Sequence, residues 1–237
     1  MLLLHGLGAT GGVWRGVLDH ARTTDLPGTV ALAPDLPGHG AAAWEPAYSF
    51  ARHAEAVLPL LEGFDGPVPV VGHSMGGVVA LELALLAPDR VSRVVGLGIK
   101  VSWPPEDAAR ALAVSERPVA TYDTREAAVE RFLRVSGLVG LVAPDDPMVD
   151  GAVVDREVVG EGSGWRLAQD PRTFGVGVPD MAALLAAAPC PVVMARGEHD
   201  VMVTHEQLAA LAPDPVSLPG LGHNAHVEDP AAVLALL

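Results

Sequence analysis

The chain is short of several things that would otherwise direct its reading. Cys190 is its only cysteine among 237 residues, which excludes an internal disulfide and fits a reducing compartment. Lys100 is its only lysine, and the formal net charge is −14. A field of that sign repels phosphate backbones and anionic lipid, so neither nucleic acid nor a membrane is an expected partner. The opening Met1-Leu-Leu-Leu-His5 has no basic segment and too short an apolar run for a secretory signal. The longest apolar stretch, Val70 to Ala87, is broken by His73, Ser74 and Glu82, so it reads as a buried strand joined to a helix rather than a membrane span. Glycine and proline are scattered, and neither a repeat nor a low-complexity tract occurs. The expectation is a soluble, cytoplasmic protein acting on a small molecule; nothing in the sequence speaks to its oligomeric state.

Apolar residues, by contrast, make up 50% of the chain, ample for the core of one medium-sized domain. Short apolar runs alternate with helical patterns, the signature of an α/β fold with a mostly parallel sheet flanked by helices. The expected strands are Leu2–Leu4, Thr29–Ala33, Val68–Val71, Arg93–Gly98, Pro191–Ala195 and Pro215–Leu218. Phe50, Ala54, Val57 and Leu61 recur at helical spacing after the N-cap Ser49, and a second helix should run from Met75 to Ala87, stopped by Pro88. Between about Ser102 and Ala188 the rhythm breaks and helix signals take over, including Thr124 as a cap for Arg125–Ser136 and a segment at Pro179–Ala188. The chain therefore divides into core residues 1–101, a helical insertion at 102–188 and core residues 189–237.

The strongest chemical signal is Gly72-His73-Ser74-Met75-Gly76, a G-x-S-x-G pattern between an apolar strand and a helix. A serine on such a sharp turn is lifted above the sheet beside a helix N-terminus, where developing negative charge is favoured. A hydroxyl is a weak nucleophile at neutral pH and needs a base, which in turn needs an orienting group. Two later strands supply candidates: one ends in Arg196-Gly-Glu-His-Asp200, the other in Pro219-Gly-Leu-Gly-His223. Acid and histidine would both stand at strand C-termini, where open α/β sheets bind ligands. Ser74, Asp200 and His223 follow in the chain order this fold uses.

With these motifs the sequence resembles the α/β-hydrolase superfamily over nearly its whole length. His5-Gly-Leu-Gly8 is similar to the family's oxyanion loop, Asp35-Leu-Pro-Gly-His-Gly40 to its strand-4 turn, and Gly-His-Ser74-Met-Gly-Gly77 to its nucleophile elbow. Gly-Glu-His-Asp200 and Gly-His223-Asn-Ala-His resemble its acid and base loops. The resemblance implies an oxyanion hole from the backbone N–H groups of Leu7 and Met75, no cofactor, and a cap domain at 102–188. It implies a serine hydrolase of the carboxylesterase type, working through an acyl-enzyme, because the relatives that open epoxides or remove halogen carry aspartate where Ser74 stands. Two other readings stay open. Some motifs look like the menaquinone-pathway synthase that eliminates pyruvate with the triad as base, although His73 and Val78 depart from its elbow; Arg110, Arg125, Arg131 and Arg134 could then hold an anionic substrate, or could simply be a solvated face with Arg131 paired to Glu126 or Glu130. The other is a non-catalytic receptor-like module.

His226 rivals His223 as base, but His223 follows Gly222 directly at the strand's end; a metal site built on the two lacks the tight ligand spacing of zinc centres. Trp103, Phe132, Leu138, Phe174 and His226 are candidates for the substrate pocket, as against a core of the cap itself. Family chains also begin with an antiparallel strand pair before the His-Gly loop, and here those N-terminal strands look missing. The segment Thr29–Ala33 would then be a sheet edge.

Overall fold

A computed structural model describes residues 1–23 and 30–237. β1 (Leu2–Leu4) leads through a loop and a short 3₁₀ turn into α1 (Arg15–Thr23), and α2 (Phe50–Val57) precedes β2 (Val68–His73). α3 (Met75–Leu86) and β3 (Val91–Leu97) follow. Next come α4 (Pro105–Ser115), α5 (Arg125–Val135), β4 (Val153–Asp155), β5 (Trp165–Leu167) and α6 (Met181–Ala187). The chain closes with β6 (Val192–Gly197), α7 (His205–Ala209), β7 (Val216–Leu218), α8 (Ala225–Glu228) and α9 (Pro230–Leu234).

Five strands form one parallel sheet in the order β1-β2-β3-β6-β7. Side chains alternate across a strand, so neighbours in sequence face opposite layers. Leu2, Leu4, Val70, Val94 and Met194 enter one apolar cluster with α2, α3 and Met181 of α6. Leu3, Val71, Val95 and Ala195 enter the other, with Trp14, Val17 of α1 and Val233 of α9. Covering both faces is why these strands read as continuous apolar runs rather than alternating ones. α3 lies deepest: nine of its twelve residues are buried, so it is apolar all round instead of striped.

The anticipated caps form. Ser49 accepts from the Arg52 N–H at 3.2 Å and Thr124 from that of Ala127 at 3.2 Å. The segment expected as the strand Thr29–Ala33 differs. Thr29 lies outside the described residues, and Leu32 makes only a single parallel bridge to Leu2. Its one neighbour, β1, is three residues long, so the ladder has nowhere to continue. The insertion is also less purely helical than expected. β4 and β5 pair antiparallel, Val153 opposite Leu167 and Asp155 opposite Trp165. Strands of three residues are too short for an alternation that sequence could display.

Candidate active site

Every loop that leaves the C-terminal end of a sheet strand contributes to one locus. Ser74 follows β2 and heads α3, with φ 50° and ψ −116°. Such strain costs about 1–3 kcal/mol and persists only where the surroundings over-determine it. The Ser74 N–H donates to the Leu97 carbonyl of β3 at 2.8 Å, and its own carbonyl accepts from Gly77 at 3.0 Å. Beneath the turn, Gly76 runs so close to β1 that a Cβ there would stand 2.3 Å from the Leu4 carbonyl oxygen.

His223, after β7, has its Nδ1 3.1 Å from both carboxylate oxygens of Asp200, after β6. A carboxylate only accepts, so Nδ1 carries a proton and donates a hydrogen bond to Asp200. The Asp200 side chain is fully buried and the His223 side chain 22% exposed, which shields the carboxylate from water and leaves the imidazole reachable. Gly98, just beyond β3, lies against this pair with φ 63°; a Cβ would meet Asp200 Oδ2 at 3.0 Å and His223 Nδ1 at 3.2 Å.

The supporting bonds were not legible in the sequence. Arg196 is buried and donates to the carbonyls of Val203 (2.8 Å), Glu198 (2.8 Å) and Asp200 (3.1 Å), closing the acid loop around itself. The Met202 N–H donates to Asp200 Oδ1 at 2.8 Å. Glu198 accepts from the Gly220 N–H and Glu228 from the Gly222 N–H, each at 2.8 Å, so two carboxylates brace the loop before His223. Asn224 donates to the carbonyls of Ser136 (3.2 Å) and Gly137 (3.0 Å), tying that loop to the end of α5.

The loop after β1 is clamped by two fully buried histidines. His5 Nε2 accepts from the Leu36 N–H at 2.9 Å and its Nδ1–H donates to the Gly6 carbonyl at 2.8 Å. His39 Nε2 accepts from the Gly8 N–H at 3.3 Å and its Nδ1–H donates to the Pro37 carbonyl at 3.2 Å. Each ring uses one nitrogen as acceptor and must be neutral. Burial is the main force lowering both pKa values, and the neighbouring histidine charges push His39 down further. The N–H groups of Leu7 and Met75, in contrast, have no acceptor among the described residues. Both residues wall a cavity of about 60 Å³ that also holds Ser74, Phe50, Ile99 and Trp103.

Of the other pocket candidates, Phe174 lines a neighbouring cavity of about 190 Å³ together with Trp103. Phe132 and Leu138 do not face the Ser74 cavity: they are buried with Met148 and Val149 in the apolar cluster on the far side of the sheet. α5 turns its apolar stripe, with Phe132, toward that cluster, and the turn after the helix adds Leu138, which leaves these two residues as core. His226 is likewise absent from the cavity wall. It is fully buried, with ring centroids 4.5 Å from Trp14 and 4.4 Å from His73, and neither of its nitrogens has a partner. Asp170 is not a rival acid, since Tyr48 and Arg172 hold it at 2.8 and 2.7 Å.

Across residues 1–236 the chain matches the alpha/beta hydrolase family. It belongs to that family. It is 34% identical to the lipase LipV of Mycobacterium tuberculosis over 172 residues, 71% of this chain and 62% of that protein. It is 29% identical to the esterase Rv0045c of the same organism over an alignment of 252 positions that spans all of this chain and 80% of the relative. The crystal structure of that esterase superposes with a TM-score of 0.72 at 25% identity, covering 99% of this chain and 81% of the other. A thioesterase domain from the curacin biosynthetic pathway superposes with a TM-score of 0.76 at 21% identity, covering 99% and 89%. No helix among the described residues is long and apolar enough to cross a membrane.

Proposed function

We propose that the chain is a serine hydrolase cleaving a carboxylic ester, or a related acyl bond, of a small and largely apolar substrate. The observation that carries this is the 3.1 Å approach of both Asp200 oxygens to His223 Nδ1, which leaves Nε2 as a base on the same sheet edge as Ser74. Named esterases and lipases among the relatives support the reaction class.

In the first half-reaction His223 Nε2 takes the Ser74 proton while Oγ bonds to the carbonyl carbon; the alcohol then leaves with that proton, giving the acyl-serine. Water, deprotonated by the same Nε2, then attacks the acyl carbon, and Ser74 recovers its proton as the acid is released. The N–H groups of Leu7 and Met75 serve as the oxyanion hole, each worth on the order of a hundredfold in rate. Asp200 keeps His223 in the working tautomer and stabilises the imidazolium. Residues 102–188 act as a cap whose Trp103 borders the acyl cavity, with α6 packed back onto the core beside α3.

A fluorophosphonate probe should label the protein at Ser74 and p-nitrophenyl esters of graded acyl length should be turned over. Absence of labelling in protein that melts cooperatively would refute the assignment.

A further inference from the structure

A second cavity lies beyond the oxyanion loop. It measures about 160 Å³ and is walled by apolar groups from α4, α5 and the segment after β5, among them Val114, Val135 and Phe174. Arg117 and Arg131, both solvent-exposed, line it together with Tyr122. Neither guanidinium has a hydrogen bond or ion pair among the described residues. The neighbouring cap arginines are spoken for: Arg110 by Asp107, Arg125 by Asp150 and Arg134 by Glu130. Of the two carboxylates that could pair with Arg131 along its helix, Glu126 and Glu130, the second is taken by Arg134 one turn on. In a chain of formal charge −14, the cavity thus has two guanidinium-bearing residues on its wall, neither guanidinium carrying an ion pair.

The cavity abuts the reaction centre. Val135, one helical turn after Arg131, packs against the oxyanion loop: a Cβ on Gly8 would stand 2.5 Å from its Cγ1. Phe174 borders this cavity and the one containing Trp103, and Trp103 in turn borders the Ser74 cavity. Shared wall residues thus link the three spaces in turn.

We infer that the arginine cavity is a binding subsite for a carboxylate at the far end of the substrate, so that the preferred esters have an apolar chain ending in an anion. Guanidinium matches a carboxylate with paired N–H donors, and the apolar wall residues suit the chain that carries it. This rests on the assignment of Ser74 as nucleophile.

The test compares kcat/KM for monomethyl esters of α,ω-dicarboxylic acids with methyl esters of monocarboxylic acids of equal length, and with esters ending in trimethylammonium. At one chain length the carboxylate ester should be favoured about tenfold or more, chiefly through KM, and the ammonium ester disfavoured. Arg117→Gln with Arg131→Gln should bring the carboxylate-to-neutral ratio near one, Arg131→Lys should restore part of it, and the ratio should shrink at high ionic strength. A wild-type ratio near one at every length overturns the subsite while hydrolysis at Ser74 stands. A preference that survives the double substitution also overturns it. Loss of all ester turnover and of fluorophosphonate labelling would instead remove the hydrolase assignment beneath it.

Discussion

The ring of His73 lies 4.6 Å from that of His223, and its Nε2–H donates to the main-chain carbonyl of His223 at 2.9 Å. The residue before the proposed nucleophile thus holds the backbone of the proposed base. Burial keeps His73 neutral, and the charges of His226 and His223 push its pKa down further, so it donates through one nitrogen only. We therefore expect His73→Phe to act through His223. With one neutral hydrogen bond worth about 1 kcal/mol, kcat should fall several-fold to tenfold while KM changes little. An unchanged kcat would show that the bond does not position the base.

Ser74→Ala and His223→Ala should each remove nearly all turnover without unfolding the protein. The double variant should be little worse than either single one, because the groups act as a unit. Steady-state rates beside thermal melts decide this; additive losses would speak against the mechanism.

Asp200→Asn should cost several orders of magnitude in kcat, since an amide can hold His223 in the wrong tautomer. Arg196→Met should lower both activity and stability, because three carbonyls of the acid loop would lose their donor together. If Arg196→Met kept wild-type activity and melting temperature, the acid loop would not depend on that clamp.

His226→Ala tests packing rather than chemistry. Removing a fully buried ring between Trp14 and His73 leaves a cavity, and large-to-small core changes cost about 2–5 kcal/mol. Denaturant melts should show this loss, while kcat of the folded fraction should fall far less than in His223→Ala. The reverse pattern would make His226 the base.

Buried neutral histidines also predict an acid limit. His226 is lowered from 6.5 to about 3, first by burial and then by the charges of His223 and His5. His53 is lowered to about 4, first by burial and then by His5. The unfolded chain takes up these protons near pH 6.5 and the folded chain does not, so stability is full above that pH. It is lost as pH falls, at about 1.4 kcal/mol per pH unit for each such group, until the folded pKa is reached. His226→Leu should remove one group's share of that slope between about pH 6 and 4 in urea melts. An unchanged slope would mean that His226 is protonated in the native state.

The sequence by itself determined the α/β class, the strand–turn–helix around Ser74 and the three residues proposed for the triad. Those features are local: short continuous apolar runs, caps such as Ser49 and Thr124, and a glycine-flanked turn all act over a few residues. Tertiary structure decided everything that depends on who meets whom. It turned Phe132 and Leu138 into core by directing one face of α5 and the turn that follows it toward the sheet, and it buried His226 against His73 instead of in the cavity wall. It reduced the strand expected at residues 29–33 to one bridge at Leu32, because β1 offers so short a neighbour. It also brought Arg196, Glu198 and Glu228 under the acid and base loops and left Arg131 without a carboxylate. Contacts between residues far apart in sequence carry no periodic or short-range signal; only the packed fold assigns partners to such groups.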